Sequence, residues 1–178
     1  MSGGMILQPA DSDKADVVLT TKGDLATFST SRVRKAVGTN SQLLFADSTD
    51  TTGNIWADNT TSFVIACSDE TSDLETGDSK AQIRLPFQFE LTSISANVNT
   101  APTGSTISVQ VQEDGTDILS TPITIDVSET TSATAATPPV ISDSTLAANS
   151  IISIDLDQIG SSTAGTGLKV NLIGYRIV

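Results

Sequence analysis

The chain has no histidine, a single cysteine, and aromatic residues amounting to only 4% of its 178 positions. Without histidine, the Ser-His-Asp and Cys-His arrangements that activate most side-chain nucleophiles are excluded. One thiol and no imidazole also leave zinc without its usual nitrogen and sulfur ligands. Cys67 has no partner for an internal disulfide, and its place at the end of Phe63-Val64-Ile65-Ala66-Cys67 predicts a buried core thiol. Positive charge is scarce too, with 9 Lys and Arg against 21 Asp and Glu, a net charge of −12. A pI near 4.1 repels polyphosphate and anionic lipid, so neither nucleic acid nor membrane is an expected partner. No apolar run approaches the ~20 residues that span a bilayer. The opening Met-Ser-Gly-Gly-Met-Ile-Leu-Gln-Pro has no early Lys or Arg and only three consecutive apolar residues, so it does not read as a secretory signal; synthesis in a cytoplasm is expected. Lacking a nucleophile motif and a phosphate-binding loop as well, the sequence predicts neither an enzyme nor a cofactor.

What the chain has in abundance is Ser and Thr, residues suited to turns and strands. From about residue 62, apolar and polar residues alternate in segments separated by Gly, Pro, Asp and Ser clusters, the period-2 pattern of half-buried strands. Eight segments are predicted: 62–68, 80–87, 89–99, 106–112, 116–120, 123–127, 150–156 and 168–177. Ile83, Leu85, Phe87, Phe89 and Leu91 share one parity, as do Ile107, Val109 and Val111, then Ile123, Ile125 and Val127, then Ile152, Ile154 and Leu156, then Leu168, Val170 and Leu172. Parity breaks between Leu91 and Ile94, which predicts at Thr92-Ser93 either a bulge or a strand changing sheets. Glu113-Asp114-Gly115 reads as a tight hairpin turn. The fold class that follows is all-β, an eight-stranded antiparallel sandwich of jelly-roll type over residues 61–178. The connection 128–149 is either an ordered crossover between sheets or a flexible surface loop.

Residues 1–60 differ. Their apolar groups (Val17-Val18-Leu19, Leu25, Phe28, Val33, Leu43-Leu44-Phe45, Ile55-Trp56) lie too far apart to enclose a core, which predicts an extended arm stable only against another surface. Arg32, Arg34 and Lys35 form the one basic cluster and, with Phe45 and Trp56, are the candidate partner-docking residues. Trp56 is expected as a packing anchor rather than a sugar platform. Asp69, Glu70, Asp73, Glu75 and Asp78 crowd one loop, but without the spacing of an EF-hand they read as a solvated acidic loop rather than a calcium site. Asp155 and Asp157 alternate with Ile154 and Leu156 and are expected on the outward face of a strand, as edge protection or as metal ligands.

The arm also carries motifs. Thr20-Thr21-Lys22-Gly23-Asp24-Leu25, Arg32-Val33, Ala36-Val37-Gly38-Thr39-Asn40-Ser41-Gln42-Leu43-Leu44, Ala46-Asp47-Ser48 and Thr52-Gly53-Asn54-Ile55-Trp56 together resemble a unit common in phage tail-fibre and other virion proteins. It departs from the usual pattern at Ser41 and at Asn54-Ile55. Residues 62–178 resemble a β-sandwich module of phage structural proteins, through Asn99-Thr100-Ala101-Pro102-Thr103-Gly104-Ser105 and Thr134-Ala135-Ala136-Thr137-Pro138-Pro139 among other stretches. The resemblance implies a bacteriophage virion structural protein on the particle surface, a capsid decoration or fibre subunit held by its arm. It implies a homotrimer whose other partner is the major capsid or a tail protein, and brings no catalytic residue. The alternative is a tail-fibre module recognising a host receptor or host-surface glycan, to which few aromatic faces are available.

Overall fold

The computed structural model describes residues 19–29 and 32–177. The chain divides after Asn59 into two compact units. Among the described residues no helix is long and apolar enough to cross a membrane.

The N-terminal unit turns back on itself twice. β1 (Leu25–Phe28) pairs antiparallel with β2 (Arg32–Lys35), and β3 (Gln42–Ala46) with β4 (Asn54–Asp58). Where the scattered apolar pattern predicts an extended arm, the described residues form two antiparallel strand pairs. Asp47 and Asp50 accept the amide hydrogens of Thr49 and Thr52, and Gly53, at a φ of 73°, completes the second turn. Among the described residues, the buried apolar side chains all come after Asn59. Val17 and Val18 lie outside the described residues, and so do the side chains of Phe28 and Arg32.

The second unit is all-β and sandwich-like. Its strands are β5 (Thr60–Ala66), β6 (Gly77–Arg84), β7 (Phe89–Asn97), β8 (Ile107–Glu113), β9 (Thr116–Asp117), β10 (Leu119–Thr121), β11 (Ile123–Ile125), β12 (Val140–Ile141), β13 (Thr145–Leu146), β14 (Ile151–Gln158) and β15 (Lys169–Arg176). One sheet runs in the order β11-β8-β14-β6, with β9 also on β8; the other runs β13-β7-β15-β5, and β10 pairs separately with β12. From β5 to β8 each successive strand lies in the opposite sheet, as do β13, β14 and β15.

Alternation explains the core. Ile107, Val109, Val111, Ile152, Ile154 and Leu156 of one sheet meet Phe89, Leu91, Ile94, Val170 and Leu172 of the other, all buried. Phe63 packs edge-on to Phe89 with ring centroids 5.2 Å apart. The parity break at Thr92 is a bulge within β7: Leu91 faces Gly174 and Ser93 faces Ile173, leaving Thr92 without an opposite residue. Its hydroxyl donates instead to the Ile173 carbonyl, at 3.1 Å. The hairpin between β8 and β9 turns on Asp114 and Gly115, with φ values of 47° and 83°, as a type I′ turn requires. The connection 128–149 is ordered into a short 3₁₀ turn (Ser132–Thr134), β12 and β13; it joins β11 and β14 of the same sheet and visits the opposite sheet between them, at β13.

Candidate functional site

The motif residues of the N-terminal unit converge on one carboxylate. Thr20-Thr21-Lys22-Gly23-Asp24 forms a turn in which the Asp24 amide donates to the Thr21 carbonyl, and Gly23 takes a φ of 91° that a side chain would oppose. Asp24 Oδ2 then accepts the amides of Thr20 (3.0 Å) and Thr21 (2.8 Å), while Oδ1 accepts that of Val37 (3.0 Å). Arg34 closes the ring, its Nη1 lying 3.1 Å from Oδ2 and bonding also to the Thr20 hydroxyl. The Asp24 side chain is fully covered. Burial alone would raise its pKa, but the amides of Thr21, Val37 and Thr20 and the Arg34 guanidinium hold it below the ordinary carboxyl value of 3.8.

A second set of bonds ties the two hairpins together. Trp56 donates its indole N–H to the Ala36 carbonyl at 2.8 Å, and its ring lies against Gly38, where an added Cβ would come within 2.8 Å of the Trp56 Cγ. Lys35 reaches across to the Asn54 carbonyl (2.5 Å) and to Asp50 (3.5 Å). Arg34, Lys35 and Trp56 are therefore engaged within the chain. Phe45 is not: it stands 43% exposed on the face it shares with Leu43, Ile55 and Ala57, while Leu44 and Trp56 lie opposite each other on the other face. The sequence motif contains Asp24 and Gly38 without revealing their roles, since Asp24 also binds Arg34 and Val37, ten and thirteen positions on, and Gly38 meets Trp56 of the second hairpin.

The acidic loop of the second unit does not converge on a point. Asp69 accepts the amides of Thr71 (2.8 Å) and Ser72 (2.7 Å), which lowers its pKa to about 2. Glu70 pairs with Lys169 at 2.8 Å and accepts from Asn99. A shallow cavity of about 280 Å³ lies beside Asp69, Asp73, Glu75 and Lys80. Among the described residues no three acidic or thiol side chains are placed to hold a metal ion.

Asp155 departs from the expectation of an exposed edge residue. It lies on β14, between β8 and β6, and is only 6% exposed, its Oδ1 accepting the Ser79 amide at 2.7 Å. The register of β6 against β14 slips between Ile154 and Leu156, and the carboxylate fills the slip where Ser79 turns to a φ of 50°. Parity identifies its face, but not the strand that flanks it. Asp157, on the same face, has its pKa raised by burial and by repulsion from Asp155, Asp117 and Asp78.

Comparison with protein-family models, with curated proteins and with solved structures finds no match to this chain.

Proposed function

We propose that the chain is a non-enzymatic structural protein of a bacteriophage particle, displayed on its surface as a capsid decoration or fibre subunit. In this reading residues 1–60 are the attachment arm and residues 61–178 an eight-stranded jelly-roll-like sandwich that the arm carries. The observation that carries it is the state of the N-terminal unit. Its polar groups are closely bonded to one another, yet no apolar side chain described there is buried, and Leu43 and Phe45, on one face of the second hairpin, are each more than 40% exposed. Two-stranded hairpins are marginal in isolation, so this unit gains its stability from a surface that covers those side chains. The motif resemblance supports a virion partner for that surface. The strand orders β11-β8-β14-β6 and β13-β7-β15-β5 support the jelly-roll reading, because two nested Greek keys interleave alternate strands in this way.

A homotrimer fits the same reading, since symmetry presents the same apolar face repeatedly around one axis. Phe45→Asp tests both ideas, as it places a charge on the exposed face without touching the Asp24 or Trp56 contacts. The full chain should bind particles that lack it and scatter light as a trimer. The variant should lose both properties while its β-sheet circular dichroism stays unchanged. A wild-type monomer at micromolar concentration would remove the trimer, and undiminished particle binding by the variant would remove the arm as the anchor.

A further inference from the structure

The sandwich has an open strand edge of its own. On its outer side β7 is paired at Phe89 and Glu90 by β13, and the Leu91 amide donates to the Ser144 carbonyl at 2.7 Å. Further along, the Ala96 amide donates to Ser132 Oγ at 2.9 Å and the Val98 amide to the Thr130 carbonyl at 3.0 Å. Backbone groups alternate sides along an antiparallel strand. The N–H and C=O of Ile94 therefore point the same way as those of Ala96, away from β15, and no side-chain or loop acceptor among the described residues meets this N–H.

A groove of about 380 Å³ lies along this stretch, walled by Thr92–Ser95 on one side and by Ser132, Ala133, Pro138 and Pro139 on the other. The two prolines have no N–H to offer, so the facing wall is poorly equipped to complete the ladder. No charged side chain lines the groove. Carboxylates stand at both ends: Glu90 holds the hydroxyls of Ser144 and Thr145, while Asp126 and Glu129 accept from Ala136 and Thr134. None of the ion pairs among the described residues involves these three acids.

We propose that this groove binds a short extended peptide segment of a partner protein by strand addition to β7. The segment places small uncharged side chains beside Ile94 and carries Lys or Arg on its flanks. The free backbone pair supplies the hydrogen bonds, the uncharged walls exclude charge from the centre, and the carboxylates at each end attract the basic flanks. A second copy of the chain suits the site less well, because the open stretch is short and walled by the loop, which admits a single strand but not the edge of a folded sheet.

The test uses the full-length chain and an acetylated, amidated peptide of sequence Lys-Thr-Val-Thr-Val-Thr-Lys. In the free protein the Ile94 amide should exchange with solvent much faster than that of Ser95, whose opposite residue Asn171 lies on β15. The peptide should bind saturably and slow exchange at Ile94. N-methylation of the central backbone nitrogen should weaken binding about tenfold, the worth of roughly one backbone hydrogen bond. Replacing the flanking lysines by glutamates should weaken it at low salt, and Ala133→Trp, at an exposed groove position, should block it without unfolding the sheet. Protection of Ile94 in the free monomer, equal binding of the N-methylated peptide, or no saturable binding would each overturn the proposal. Protection that grows with protein concentration would overturn it in favour of a second copy.

Discussion

At the scale of single residues, Asp24 and Cys67 are the most informative. Asp24 has a folded-state pKa held below 3.8, so its contribution to stability is present above that value and lost as pH falls through the depressed one. Trp56, the only tryptophan in the chain, packs against Gly38 and therefore reports on the N-terminal unit. Its emission should shift to the red as wild-type protein is acidified below about pH 4. Asp24→Asn, which cannot accept four hydrogen bonds on a charged group, should show the shifted emission already at neutral pH. An unchanged spectrum for the variant would mean that the Asp24 ring does not hold the hairpins. Cys67 is 7% exposed, its thiol donates to the Ile65 carbonyl at 3.4 Å, and burial pushes its pKa up to about 11. The native protein should leave a thiol reagent unconsumed at pH 8 and react fully once unfolded in denaturant.

Among the elements, the β7–β15 pair depends on one small residue. Gly174 stands opposite Leu91 at the bulge, where an added Cβ would lie 1.8 Å from the Glu90 carbonyl oxygen and 2.8 Å from the Phe89 ring. Gly174→Ala should therefore destabilise the sandwich by about 1–3 kcal/mol, since neither a backbone carbonyl nor a fully buried ring can give way freely. Denaturant titration checks this, and a midpoint equal to wild type would place the β7–β15 register elsewhere. The same pair shows how much was legible beforehand. Alternation marked β7, β8, β14 and β15 because one face of each is buried, and the parity break marked the bulge. β12 and β13 carry two residues each, too few for any period to be visible. Alternation reads Asp155 as an edge residue because parity alone does not say which strands flank β14. In the N-terminal unit the motif was visible, but the link from Asp24 to Val37 and that from Trp56 to Ala36 arise only when the chain folds back on itself.

For the molecule as a whole, charge is divided as unevenly as structure. Of the net −12, −10 belongs to residues 61–178 and −2 to residues 1–60, which carry five basic and seven acidic side chains. On the attachment reading proposed above, the smaller charge of residues 1–60 suits a partner contact, and the strongly acidic residues 61–178 repel one another between neighbouring copies. The sandwich also has a mechanical direction. Its first strand, β5, and its last, β15, are antiparallel neighbours, with Thr60 opposite Tyr175. Tension applied between residues 60 and 177 would thus part the two strands from one end, breaking their ladder bond by bond. Tension applied between Ser72, beyond the far end of β5, and residue 177 would load all the rungs at once. Single-molecule pulling should find a markedly lower rupture force for the first geometry than for the second. A sandwich held at residue 60 and pulled at β15 would therefore act as a mechanical fuse, yielding at low force by peeling.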